Sequence, residues 1–488
     1  PPPRASSPLL PTNSLPLPQM SFDRPPLDHV GAPSLDHLDS FLAPPTHISC
    51  CTDSLLAHPP RHYVPARLSV PWSGGAALFD APPQTASVAG SAVNLAACAF
   101  GASMLALPYV FAAVGPVPAI IELVVAAVAA HYAAVAVART GLKARHPHYS
   151  LIVRHYLGKP AALAAEALIA VCFVLAAVSY LAGLADLVPF LIPALRHAPR
   201  AGIIAGVAVA FFPLALLPSL SALSFTSALA CGSCFVQASI LVAESLRLHS
   251  PRVFLDRALW CPGAGPTGGP FAGVTVAAVL ATLPVVSFTF AYHYVLTDTL
   301  LELREPTYSR IVSTLHSTSL ALVSCYVAFG VGGYMLYRGK DIPVNALSGM
   351  TSAHGSGMGK SAAMLSMAAL LFLTLPLFVV PLRRKAEHLL YGGLPTELSL
   401  GVLRKRVPVV VGIVGGIVMV SLALKNLELA NSVAGGCLAI VMFFLPGVLV
   451  LRAGRRSIGS LAGIFRLFEG CFFVAVGIVV FVVGVFGV

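Results

Sequence analysis

Eleven apolar runs separated by short polar connections organise the chain: Ser87–Val114, Pro118–Val137, Ala161–Leu184, Ala201–Leu217, Leu223–Val242, Phe271–Leu296, Ile311–Leu336, Ala362–Val380, Val407–Leu424, Leu429–Leu451 and Gly470–Val488. A helix of about 20 apolar residues crosses a bilayer, so this spacing predicts an all-α, polytopic fold of eleven transmembrane helices, with Ala201–Leu217 the shortest. Two runs are interrupted. Ser87–Val114 carries Asn94, Gly101, Ser103 and Pro108 along its length, and Phe271–Leu296 carries Pro284, Ser287 and Thr289. A helix broken at bilayer depth persists only where its freed peptide groups face protein, ligand or a wet cavity. Such breaks in corresponding places of two halves are the best sequence sign of a transport site.

Composition strengthens the membrane reading: 57% of residues are hydrophobic and 10% charged, with a mean hydropathy of +0.85, where soluble domains carry roughly 25% charged residues. A surface so poor in charge is solvated by lipid. Residues 1–85 differ, being rich in Pro, Ser, Leu and His and lacking the basic start and apolar core of a signal peptide. They are expected to form a disordered cytosolic tail, with the membrane domain over 86–488. Of 30 Lys and Arg, four lie in the tail, seventeen in one set of alternating loops and nine in the other. This places the N-terminus in the cytosol and, after eleven crossings, the C-terminus outside. The net charge of +11 then reads as topology and affinity for anionic lipid, not nucleic acid. Cys98, Cys172, Cys231, Cys234, Cys325, Cys437 and Cys471 fall in apolar runs, where thiols pack as small hydrophobes. Cys231 and Cys234 form a CxxC with no second pair or His cluster beside it, so packing is the expected role there too.

The stretch Val93-Asn94-Leu95 leading to Phe100-Gly101-Ala102-Ser103-Met104-Leu105-Ala106-Leu107-Pro108-Tyr109 resembles the first span of the amino acid/auxin permeases, in which an Asn precedes G-x-G and a Pro. Three further stretches follow in the same order: Ser287-Phe288-Thr289-Phe290-Ala291-Tyr292-His293, Leu375-Pro376-Leu377-Phe378 with Pro381-Leu382-Arg383, and Gly435-Gly436 with Phe443-Phe444-Leu445-Pro446-Gly447. The resemblance covers about residues 86–488. It implies a leucine-transporter-like 5+5 inverted repeat, with spans one to five related to six to ten by a pseudo-two-fold axis and one extra helix appended. It also implies secondary active transport of amino acids by alternating access. Ser103 stands where that family commonly has a second glycine, so its members' substrates do not transfer directly.

An amino acid brings a carboxylate and an ammonium that must both be stripped of water. Amides at the start of a half-helix suit the first, and freed carbonyls the second. Gly101, Ala102 and Ser103 are the candidate amides, Gly101 being also open to unusual dihedrals and close backbone approach. The backbone around Ser287, Phe288 and Thr289 supplies the candidate acceptors. Small residues at 101 and 103 equally suit close helix packing, but the nearby Asn94 and Pro108 and the ordered motifs favour a site. No acidic residue sits at mid-depth in either broken span, which points to neutral amino acids.

The driving ion stays open between proton and sodium. The family's geometry would place sodium between spans one and eight, near Asn94 and hydroxyls such as Ser361, Ser366 or Thr374; Asn94 serves equally as a bond to a neighbouring helix. For protons the candidates are the ionisable groups inside spans, Glu122, His131 and His293. Glu122 lies close enough to an outer end to snorkel. His131, nine residues on, falls on the opposite helical face, and His293 sits in the best-matched part of span six. Glu166, Asp186, Glu244 and Glu469 lie near span ends and read as interfacial. No HExxH, GxSxG or GxxxxGK[ST] is present, so enzymatic hydrolysis and ATP-driven pumping lack parts, and no cofactor is expected. The competing reading is a membrane sensor that binds an amino acid and signals through its tail. Plasma membrane is the expected location, with a vacuolar or lysosomal type of membrane as the alternative.

Overall fold

The computed structural model describes residues 84–146, 148–248, 274–337, 342, 346–347, 357–392, 399–423, 434–454 and 460–486; the expected tail lies outside them except for its last two residues. Helices form where the apolar runs predict them. The first run gives α1 (Val88–Ala99) and α2 (Leu107–Val114), followed by α3 (Pro116–Ala144), the short amphipathic α4 (Tyr149–Leu157) and α5 (Lys159–Leu191). Next come α6 (Arg200–Ala215), α7 (Ser224–Leu248), α8 (Val276–Thr289), α9 (His293–Leu301), α10 (Tyr308–Leu336), α11 (Gly357–Tyr391) and α12 (Leu400–Ala423). The last two are α13 (Ala434–Gly454) and α14 (Leu461–Phe486).

Among the described residues, nine helices are long and apolar enough to cross a membrane, α8 and α9 counting as one; α1 and α2 make a tenth span, bent by 57° at their break. The fourth run, Ala201–Leu217, gives only α6, which is 16 residues long. Pro213 in its last turn and Pro218 just beyond it bar further helix. Several spans overrun the apolar runs that announced them: Pro118–Val137 becomes Pro116–Ala144, because Pro116 suits a first helical turn and Ala138, Arg139, Leu142, Lys143 and Ala144 are good helix formers.

Local chemistry sets the ends. Ser87 accepts a hydrogen bond from Gly90 N at 3.0 Å and starts α1, while Thr275 does the same for α8 through Ala278 N at 3.1 Å; such caps contribute about 1 kcal/mol each. Gly115, with φ of 88°, reverses the chain between α2 and α3, a conformation glycine adopts without a Cβ clash. α10 lies between α7, α3, α1 and α2. Its Gly330 and Gly333 allow that closeness, since a methyl at either would run into Phe111 or Pro108 of α2. In α13, Ile440–Phe444 forms a π-turn, and Tyr149 of α4 donates to the Val441 carbonyl at 2.9 Å.

Where α1 begins and α9 ends, the bundle is tied shut by backbone and charge. Ala86 pairs with Leu303 in a single parallel bridge, through Ala86 N to Glu302 O and Arg304 N to Ala86 O, both 2.9 Å. The Glu302 carboxylate accepts from Leu220 N at 3.0 Å and pairs with Arg384 at 2.8 Å. Arg383 and Arg406, which the sequence places among loop cations, are instead buried. Arg383 donates to the Ala215 and Leu217 carbonyls at 2.7 and 2.8 Å, and Arg406 to Leu216 O at 3.3 Å; both pair with Glu387. These carbonyls close α6, so two guanidiniums meet the negative end of its dipole and satisfy its orphan acceptors. Beside this cluster His148, in the connection before α4, lies 3.9 Å from Asp298. Burial holds its pKa below the ordinary histidine value, an effect that Asp298 and Glu166 oppose while Lys385 and Arg384 reinforce it.

Candidate functional site

The first run breaks after Ala99. Phe100 N still bonds Ala96 O at 2.8 Å, but Gly101 is extended and Met104 N bonds Gly101 O at 3.2 Å, opening a 3₁₀ turn over Ala102–Ala106. The candidate amides of Gly101, Ala102 and Ser103 therefore fall where one helical ladder hands over to another. An extended backbone is open to any residue, so the unusual dihedral expected at Gly101 is not what this position requires. Space is: a Cβ there would meet the hydroxyl of Tyr180 from α5. The second break comes one turn later than the sequence suggests, at 290–292 between α8 and α9. The carbonyls of Ser287 and Phe288 are taken by Phe290 N and Ala291 N, both at 3.1 Å, as the last turn tightens.

Two tyrosines answer the carbonyls that the breaks set free. Tyr180 donates to Phe100 O at 2.8 Å. The hydroxyl of Tyr326, from α10, lies 2.9 Å from Ala99 O and 2.7 Å from Thr289 O, so one oxygen joins both breaks. A phenol has one proton to give, which leaves one of those two carbonyls with acceptor capacity at any moment. The Tyr326 ring stands edge-on to Phe100 and Phe290, at 5.5 and 5.4 Å between centroids.

Between the breaks lies a hollow lined by Gly101 and Ser103, by Ser179 and Tyr180 of α5, and by Phe288 and Ala291. About 20 Å³ of it is open to the centre of a water molecule, room for one or two waters. Of the residues expected to bind substrate, the fold thus brings Gly101, Ser103 and Phe288 to one wall. Ser287 and Thr289 are buried behind it, and the Thr289 hydroxyl bonds Val286 O of its own helix at 2.7 Å.

The ion-coupling candidates separate. Asn94 donates from Nδ2 to Leu220 O at 3.0 Å, while its Oδ1 is buried with no partner among the described residues. Ser361, Ser366 and Thr374 each give their proton to a carbonyl of their own helix, at 3.1, 2.9 and 2.8 Å. Glu122 does not snorkel; it is buried, and its carboxyl meets the Thr282 hydroxyl of α8 at 3.1 and 3.3 Å. His293 heads α9, with Nε2 3.0 Å from Ala130 O. His131 contacts Ser319 at 3.2 Å and does not line the hollow. The thiols behave as packing groups: Cys234 Sγ sits 3.2 Å from Cys325 Sγ and 3.4 Å from Met104 Sδ, all in the core. Among the described residues no cluster of His, Cys, Asp and Glu has the arrangement to hold a metal ion.

Sequence reasoning missed Tyr180 and Tyr326. A signal existed, because a phenol deep in a span of Ala, Val and Leu needs a buried partner for its hydroxyl. Which carbonyl it meets is visible only in three dimensions.

The architecture has relatives among solved structures. The crystal structure of an Eremococcus coleocola manganese transporter in complex with an aromatic bis-isothiourea substituted compound aligns at 12% identity over 81% of this chain and 86% of that one, with a TM-score of 0.52. A histidine-to-alanine mutant of the same transporter aligns at 11% identity over 82% and 87%, with a TM-score of 0.50. At such identities the likeness is one of fold. No curated protein sequence matches the chain significantly. Residues 84–488 do match the family described as transmembrane amino acid transporter protein, and the chain, an integral membrane protein built for transport, belongs to that family.

Proposed function

We propose that the protein is a secondary active permease for neutral amino acids, driven by protons or sodium and working by alternating access. The observation that carries this reading is the hollow between two interrupted helices, bordered by backbone groups that tyrosine hydroxyls, not helical partners, satisfy. Amides after Gly101 suit a carboxylate at a positive helix end, and the Phe100 and Thr289 carbonyls suit an ammonium. As it stands the hollow has room for one or two waters and no more, so Tyr180 and Phe288 must withdraw to admit substrate. In this state the Tyr180 hydroxyl holds the carbonyl that the ammonium takes over.

The same reading assigns α6 as the short fourth crossing, which brings the total to eleven, with α1–α2 and α8–α9 as matching spans of a 5+5 inverted repeat and α14 appended. With the N-terminus in the cytosol, the Ala86–Leu303 bridge and the buried arginines form the cytosolic gate. Asn94, with its free Oδ1, is the first candidate for a sodium ligand. Plasma membrane is the proposed location.

The test is flux of radiolabelled alanine, leucine and glutamine into proteoliposomes holding the full chain, under imposed pH or sodium gradients. Saturable, gradient-driven uptake that Gly101→Val abolishes supports the reading. Specific binding without flux in any arm overturns it in favour of a sensor.

A further inference from the structure

Three histidines from three helices gather beside the second break, and the substrate hollow uses none of them. His131 sits at the middle of α3, buried, and its ring stacks on that of His316 from α10, with centroids 4.4 Å apart and planes 24° from parallel. His131 Nδ1 lies 3.2 Å from Ser319 Oγ, and the Leu315 carbonyl faces the same ring. His316 is exposed on the outward side of α10, about 12 Å along from its first residue at 1.5 Å per residue. The pair therefore joins the bundle's interior to its outer surface at bilayer depth, where an imidazole facing hydrocarbon is costly and marks a wetted or functional position.

The pair also reaches the break. Ala130, next to His131, gives its carbonyl to His293 Nε2 at 3.0 Å. His293 Nδ1 is buried with no partner among the described residues, its ring stacks on Tyr292 at 4.8 Å, and the Tyr292 hydroxyl faces Ser319. His293 opens α9, two residues after Ala291 of the hollow's wall.

We propose that His131 and His316 form a one-proton site that couples proton movement to transport, an inference resting on the permease reading above. Two imidazoles in ring contact do not both stay charged, because like charges this close disfavour double protonation. The groups facing His131 are His316, Ser319 and Leu315 O from α10, His293 and Tyr292 from α9, and Tyr132 from its own helix. No acidic side chain is among them in the described residues, so no carboxylate neutralises the proton, and Leu315 O and Ser319 are left to accept from the charged ring. A proton taken from water forms an N–H bond on one imidazole and leaves by breaking that bond, returning to water on the other side. While bound, it turns a ring nitrogen from acceptor to donor and so changes how α3 holds α10 and, through Ala130 and His293, α9. The flat stacking turns the ring nitrogens sideways, away from the convergence a metal ion needs.

Proteoliposomes with the full chain test this through accumulation of labelled alanine, leucine and glutamine, counterflow exchange of the same amino acids, and a pH-sensitive dye inside the vesicles. With one proton per substrate, a gradient of one pH unit sustains about tenfold accumulation in wild type. His131→Gln and His316→Gln are expected to bring accumulation to parity and to abolish the dye signal while counterflow persists. His316→Phe, which keeps the stacking and removes the titration, is expected to match them. Accumulation that follows the pH gradient in all three variants overturns the proposal. Wild-type flux that ignores pH and moves no protons overturns it as well, yet leaves the permease reading standing. Only the absence of wild-type flux in every arm removes both.

Discussion

Tyr180→Phe isolates the claim that a tyrosine hydroxyl stands in for substrate at the first break. The substitution keeps the ring and removes one donor, leaving the Phe100 carbonyl, otherwise bonded at 2.8 Å, buried and unpaired. An orphaned buried acceptor costs about 1–3 kcal/mol. That cost falls on the empty protein and is relieved when an ammonium reaches the carbonyl. Substrate affinity is therefore expected to rise by roughly 5- to 150-fold, with a water that enters the hollow and bonds the carbonyl holding the gain to the low end. Two measurements on purified protein carry opposite signs: the melting temperature without substrate falls, and its rise on adding a transported amino acid grows. KM for uptake falls in parallel. A raised KM together with a smaller ligand-induced shift refutes the reasoning, because it makes the hydroxyl a substrate ligand and not its placeholder.

Tyr326→Phe leaves both Ala99 O and Thr289 O without their shared donor, so turnover is expected to fall more than KM changes; wild-type kinetics with an unchanged melting temperature count against a link between the breaks. Arg383→Met strands the Ala215 and Leu217 carbonyls and removes one partner of a buried pair, at about 3–5 kcal/mol; thermal melting in detergent reads the loss, and Arg383→Lys, unable to fork to two carbonyls, is expected not to restore it. Gly333→Leu drives a side chain into Pro108, which overpacking puts at about 1–3 kcal/mol; a wild-type melting temperature shows that α10 and α2 are not held that close. His148, whose pKa burial holds below the ordinary histidine value, takes up a proton on unfolding. Its contribution is neutral at pH 7, and stability falls as pH drops through about 6.5. His148→Asn is expected to flatten the melting curve against pH between about 7 and 5.5, and an unchanged slope refutes the assignment.

Length and polarity of each apolar run are local properties, and hydrocarbon solvent reads them locally. That is why the membrane character, the helical class and the approximate place of each long helix were legible in the chain, as was the break around Gly101; the short α4 matched no apolar run. The glycine's reason was not legible: it yields to the hydroxyl of Tyr180, 79 positions later in the sequence, and not to its own dihedral. The same holds for Tyr326, for Glu122 turned inward to Thr282, and for Arg383 and Arg406, whose place among loop cations concealed their burial against the end of α6. In each case a polar group inside a low-dielectric bundle must find a partner wherever the fold supplies one. Pattern along the chain determined which segments enter the membrane; the partner of each polar atom within it was decided by how the helices cross, because hydrogen bonds act over 3 Å and take no account of sequence distance.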